Sequence, residues 1–231
     1  MTFEDLYFLS IQSTYHDVQI AVYRHKLELK STIIKKIDAS ADLVPSLNEL
    51  LTSCRLTIKD LSFIAVNQGP APFTTLRVVI ASMNGVCFAT QVPLIGVDGI
   101  KALLEESYDS SDVPTIALLD AFTNDVYCAF KDIDRGIQSG CMPIVALLQE
   151  IKTRFDGQHM RFVGNGAILH KELIIKEFAD RAVVSDAFST CSLGTVARLG
   201  LEKWCNQEGL HQQLLPLYLK KQWWQEETFS K

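Results

Sequence analysis

The strongest constraint on this chain is an internal repeat. Laying residues 8–23 on residues 116–131 puts Ile11 on Leu119, Gln12 on Asp120, Asp17 on Asp125, Val18 on Val126 and Ala21 on Ala129, 108 positions later. A second echo follows in the same order, with Ile64-Ala65-Val66-Asn67-Gln68-Gly69 answering Arg161-Phe162-Val163-Gly164-Asn165-Gly166. Each is an apolar run that enters a glycine turn and then a helical pattern. The order strand, polar turn, strand, later helix, strand, glycine turn and helix thus occurs twice. A repeat of this size fixes architecture before any single element does. It predicts an α/β protein of two similar halves, 1–107 and 108–231, each a mixed sheet flanked by helices. The polar stretch YDSSDVP at 108–114 is the best linker.

Within the first half, alternation predicts strands at 6–11, 18–23 and 27–34. Leu43, Leu47, Leu50, Leu51 and Cys54 then recur at helical spacing, with Pro45 expected in the first turn. SFIAVN (62–67) reads as a buried strand that enters the loop Gly69-Pro70-Ala71-Pro72. A helix over 74–90 follows and stops before Pro93. In the second half, Ile144, Leu147, Leu148, Ile151 and Phe155 form a stripe after Pro143. Ser192 caps a helix that carries Leu193, Ala197, Leu201 and Trp204 and ends near Gly209. LLPLYLKK and Trp223-Trp224 read as an extended tail.

Composition excludes some function classes. Of the 231 residues 48% are hydrophobic and 21% charged, an ordinary globular balance. The formal net charge of −5, with no basic cluster beyond pairs such as Lys35-Lys36, argues against autonomous nucleic-acid binding. The six cysteines show no CxxC or other ligand spacing and read as reduced thiols of a cytoplasmic protein. Glu4 and Asp5 stand where a leader would be basic. The apolar segment 76–90, interrupted by Arg77 and Asn84, reads as too short to span a bilayer.

The chemistry-bearing motifs are sparse. In a duplicated α/β fold, the turns between paired strands are where nucleotide phosphates would sit, cradled by glycine amides. Gln12-Ser13-Thr14 has no glycine, and Asp120-Ala121-Phe122-Thr123 has one carboxylate and no glycine. Asp120 reads as a turn residue bonded to its own backbone. The five histidines lack metal spacing, and no GxSxG elbow is present. No cofactor or metal is expected. The helix after Pro72 is unusual because it is apolar nearly all round. Ala81, Gly85 and Ala89 form a small-residue stripe along it, while Leu76, Val79, Ile80, Met83, Val86 and Cys87 cover most of the rest. Arg77 sits near its start, where the helix dipole disfavours a cation.

Together these motifs resemble the bacterial TsaB (YeaZ) family. The loop from Asn67 to Arg77, with Gly69, Pro70, Phe73, Thr74, Leu76 and Arg77, is similar to the family's GxGPGSFTGLR. VPLIGVDG at 92–99 resembles VPVIGVSSL. Asp120-Ala121 with Asp125-Val126-Tyr127 matches DAR-GEVY, Val163 to Ala167 matches VGNGA, and Pro216 to Lys220 matches PxYLR. The resemblance spans almost the whole chain in order. It implies an actin/Hsp70-like (ASKHA) fold and a non-catalytic subunit that binds and stabilises the TsaD threonylcarbamoyltransferase in making threonylcarbamoyladenosine in tRNA. A TsaE homologue completes the implied assembly. Also expected are a homodimer when the chain is alone, tRNA contact only through the complex and no membrane. The resemblance further implies partner contact through the first two helices, giving Leu43, Leu47, Leu50, Leu51, Leu76, Ala81, Met83, Gly85 and Ala89 as the interface set.

Several positions depart from the family pattern. Gln12 replaces the aspartate of DTS, Ala39 a common histidine, Ala71 and Thr75 two loop glycines, and Pro72 a serine. Alanine and threonine resist positive φ, so an altered loop backbone is expected. A kinase or ATPase of the same superfold, or a peptidase-like protein, are the alternative readings. The first requires phosphate-turn glycines and a catalytic carboxylate; the second requires a metal pair or a nucleophile.

Overall fold

The computed structural model describes residues 6–108, 113–132 and 136–220. The middle of the expected linker and Trp223-Trp224 lie outside the described residues. In chain order the elements are β1 (Tyr7–Ser13), β2 (Asp17–Arg24), β3 (Leu27–Lys35), α1 (Ala39–Ser53), β4 (Leu61–Asn67), α2 (Phe73–Thr90), β5 (Leu94–Val97) and α3 (Gly99–Glu106). Then come β6 (Thr115–Asp120), β7 (Asp125–Asp132), β8 (Gly136–Pro143), α4 (Ile144–Arg154), β9 (Met160–Val163), α5 (Asn165–Leu169), α6 (Lys171–Phe178), β10 (Ala182–Val184), α7 (Leu193–Cys205) and β11 (Leu210–His211).

The first sheet runs β11-β5-β4-β1-β2-β3 and the second β10-β9-β6-β7-β8. Without the short β11, the two orders are the same. In each, an antiparallel meander of three strands meets two further strands on its parallel side. Period-two alternation explains the first sheet. Leu9, Ile11, Val18, Ile20, Val22, Ile64 and Val66 face α1 and α2 and form one core with them. Phe8 and Tyr23 face the other way. There Tyr23, Phe8, Phe63 and Trp204 of α7 stack in a row, with centroids 5.1, 4.5 and 5.0 Å apart. In the second sheet, Ile116, Leu118, Val126, Cys128, Phe130 and Phe162 pack on α4 and α6.

Three local readings change. The sequence places Pro45 in a first turn, but α1 starts at Ala39 and Pro45 lies inside it. Proline there has no amide to give Ala41, and both residues are exposed, so water can serve the Ala41 carbonyl. The helix capped by Ser192, whose Oγ accepts from Thr195 N at 3.1 Å, ends at Cys205, short of Gly209. Contacts also divide the chain differently from a cut at 107/108. One compact unit runs up to Ala102 and takes back Ser192–Leu217, while Leu103–Cys191 belongs to the other. Gly200 of α7 explains the return. A β-carbon there would come 2.5 Å from Ala65 Cβ, so the missing side chain lets the helix lie directly on β4.

Candidate functional site: the Gly69 loop and the outer face of α2

Asn67, the last residue of β4, organises the loop. Its Nδ2 donates to Gln12 Oε1 at 3.2 Å, and its Oδ1 accepts from Gly69 N at 2.8 Å. Gly69 has φ 102° and a cis bond to Pro70, and its carbonyl accepts from Gly99 N at 2.7 Å. A β-carbon there would lie 2.8 Å from Leu76 Cδ2, so both the dihedral and the space require glycine. Gln68 ties in the end of the unit: its carbonyl accepts from Leu217 N at 2.9 Å and its Nε2 donates to Leu215 O at 2.8 Å. The Gly69 amide and carbonyl are thus used in shaping the corner. Ala71 and Thr75 stand where the family pattern has glycine, yet neither has positive φ.

Beyond the corner, α2 has two faces. Thr75, Leu76, Val79, Ile80, Met83 and Cys87 are buried. Six residues of the interface set are therefore reassigned: Leu43, Leu47, Leu50, Leu51, Leu76 and Met83 lie in the unit's own core. At 0 to 4% exposure they have no surface to offer a partner. Ala81, Gly85 and Ala89 are exposed, and a β-carbon at Gly85 would meet nothing within 4 Å. Phe88, 83% exposed, stands beside them. At the helix start, Arg77 lies over the exposed Phe73 ring, 3.5 Å from its centroid, a contact that holds the cation in place despite the dipole. On the α1 side, Val44 and Ile37 are exposed, Ile37 at 86%. Sequence reasoning missed Phe88, Val44 and Ile37. Phe88 and Val44 fall outside the buried stripes of their helices while remaining large and apolar, and Ile37 lies in the turn before α1.

At 18 residues, α2 is also long and apolar enough, by length and composition, to cross a membrane. The expectation that the apolar segment is too short is corrected, since the helix begins at Phe73. Its buried face is nevertheless built into the sheet core, sharing that core with Leu9, Ile64 and Leu94.

The two strand turns are closed largely by their own bonds, although the buried Ser13 Oγ in the first has no hydrogen-bond partner. Thr14 Oγ1 donates to Asp17 Oδ1 at 2.7 Å and accepts from the amides of His16 and Asp17. Asp120 Oδ1 accepts from Phe122 N at 2.8 Å, the turn-residue role read from the sequence, and Asp120 N donates to Asn165 Oδ1. Gly166 packs against β6, where a β-carbon would come 2.9 Å from the Leu119 carbonyl carbon. Gly164 has φ 99°. Lys220 Nζ meets Asp125 Oδ2 at 2.6 Å, and that bond raises the lysine's pKa. Burial pushes the Cys128 thiol up to about 12 and Cys141 up to about 11. Among the described residues, no group of three or more His, Cys, Asp or Glu side chains is placed to hold a metal ion.

Two sheets of one strand order, each flanked by helices, define an actin-like α/β protein of the ASKHA type. YeaZ from Pseudomonas aeruginosa has this fold with a TM-score of 0.72 at 21% identity, covering 93% of this chain and 100% of that one. The family model of TsaD, tRNA N6-adenosine threonylcarbamoyltransferase, matches residues 38–190. The chain belongs to that family, in its TsaB (YeaZ) branch. The tRNA threonylcarbamoyladenosine biosynthesis protein TsaB of Buchnera aphidicola subsp. Schizaphis graminum is 23% identical over 43% of this chain and 48% of its own length. That of Bacillus subtilis is 23% identical over 72% of this chain and 74% of its own. The chain thus spans about half the length of the Buchnera relative it matches.

Proposed function

We propose that the chain is a non-catalytic subunit in tRNA threonylcarbamoyladenosine biosynthesis that binds and stabilises a TsaD-type threonylcarbamoyltransferase. The supporting observation is the outer face of α2. Ala81, Gly85 and Ala89 leave room for another backbone, and Phe88 offers a large apolar side chain beside them. Such a face suits close helix packing and stays open within the chain's own unit. In this reading α1 contributes its exposed Val44, a TsaE homologue joins the larger assembly, and tRNA is reached through the complex. The protein works in the cytoplasm, and its two functional halves follow the repeat. Co-expression with the TsaD-type protein of the same genome tests the reading. The expected result is a stable complex whose transferase activity exceeds that of the partner alone, while the isolated chain turns over no ATP, peptide or threonylcarbamoyl donor. Failure to associate, or turnover that tracks the purified chain and disappears in Asp120→Ala, overturns it.

A further inference from the structure

β3 forms one edge of the six-stranded sheet. Among the described residues it pairs with β2 on one side and with no strand on the other. An edge strand turns a row of backbone N–H and C=O groups away from its sheet, a template for a further strand. Here the row is open. Of the nine residues only Ile34 is buried, and Leu27 and Ile33 are 65% and 66% exposed. The pairing with β2 slips beside Leu29 but is unbroken from Lys30 to Lys35. That run holds Thr32, Ile33 and Ile34, three β-branched residues that favour extended backbone.

The charge of this edge is opposite to that of the molecule. From Lys26 to Lys36 there are four lysines, Lys26, Lys30, Lys35 and Lys36, against Glu28, in a protein of formal net charge −5. All four lysines are exposed. The Glu28 carboxylate is engaged, accepting from Tyr23 Oη at 3.0 Å. Asp17, across from Lys35 on β2, accepts from Thr14 through Oδ1. A second copy of β3 is a poor match. Laying 30–35 on its own antiparallel copy sets Lys30 against Lys35 at both ends, and like charges directly opposite destabilise a ladder. A strand with carboxylates at those places makes the same contacts favourable.

We infer that β3 is a docking edge for an extended acidic segment of a protein partner, which adds a strand beside residues 30–35. Backbone bonds hold the segment, Ile33 gives it an apolar contact, and the lysines select its charge. The chemistry favours peptide over RNA. The large apolar side chains exposed on this strand are the aliphatic Leu27, Leu29 and Ile33, whereas single-stranded RNA is held by aromatic rings on which bases stack. The edge is distinct from the outer face of α2 and does not depend on the function proposed for that face.

The test is a titration of the full-length protein with a capped, fluorescent peptide matched in length to residues 30–35. It carries glutamate at each end and alternating threonine and valine between. Saturable binding is expected, with slower amide exchange within residues 30–35. The same peptide with lysine at each end should bind about tenfold more weakly. The double variant Lys30→Glu, Lys35→Glu should reverse that preference, and both positions are exposed, so its melting should match the parent's. A glutamate peptide N-methylated at every amide keeps its charge but cannot donate to a ladder, and should not bind. Equal binding of the N-methylated peptide, an unchanged preference in the double variant, or no saturation by about 1 mM overturns the inference. So does oligouridine that binds this edge more tightly than the peptide.

Discussion

A β-carbon added at Gly85 would touch nothing, whereas one added at Gly166 would run into the backbone of β6. The two glycines therefore predict opposite behaviour. Gly85→Leu should leave thermal melting of the isolated chain unchanged and weaken association with the TsaD-type partner by about 2 kcal/mol, as central interface positions do. Normal binding by that variant removes the outer face of α2 from the interface. Gly166→Ala should instead lower the melting temperature, because β6 must shift to admit the methyl group, at about 2 kcal/mol. Cys128 carries a pH prediction. Its pKa is raised on folding, from an ordinary 9.0 to about 12, because burial disfavours the thiolate. The unfolded chain therefore releases this proton first, and stability falls as pH rises between these values. Denaturant titrations should show that decline, and Cys128→Ala should flatten it.

At the scale of the element, α2 shows how an apolar helix is assigned its faces. The stripe Ala81-Gly85-Ala89 was legible in the sequence, but its direction was not. Leu, Ile, Val and Met at so many angles around the axis give hydrophobicity no contrast from which to read a phase. Packing against the sheet decided it, burying Val79, Ile80 and Met83 and leaving Phe88 outside. The same logic moved the α1 leucines from partner surface to core. Leu43, Leu47, Leu50 and Leu51 were recognised as one stripe, and a stripe does not say which neighbour will cover it. An exposed phenylalanine beside a small-residue stripe should also pair with its own copy when no partner is present. The isolated chain is expected to run as a homodimer in light scattering, and Phe88→Ser to shift it toward monomer without changing its melting. A parent protein monomeric at high concentration counts against this surface.

For the whole molecule, charge sets the expectation for tRNA. With 22 Lys and Arg against 27 Asp and Glu, the isolated chain should bind tRNA weakly, and affinity should appear with the partner that supplies cations. A salt-sensitive submicromolar complex of tRNA with the isolated chain would contradict this. The repeat, the self-contained Asp120 turn and the family were determined by the sequence itself. They rest on local patterns: alternation, helical spacing and glycine at positions where a turn or a close approach excludes a β-carbon. β8 was not legible, because GIQSGCMP is mostly exposed or half-buried and lacks the alternation that marks a strand. Only the tertiary structure decided where 192–217 belongs and which side of α2 faces outward. Neither is local. The first depends on Gly200 meeting Ala65, 135 positions earlier in the chain, and the second on which face of an almost uniformly apolar cylinder the sheet happens to cover.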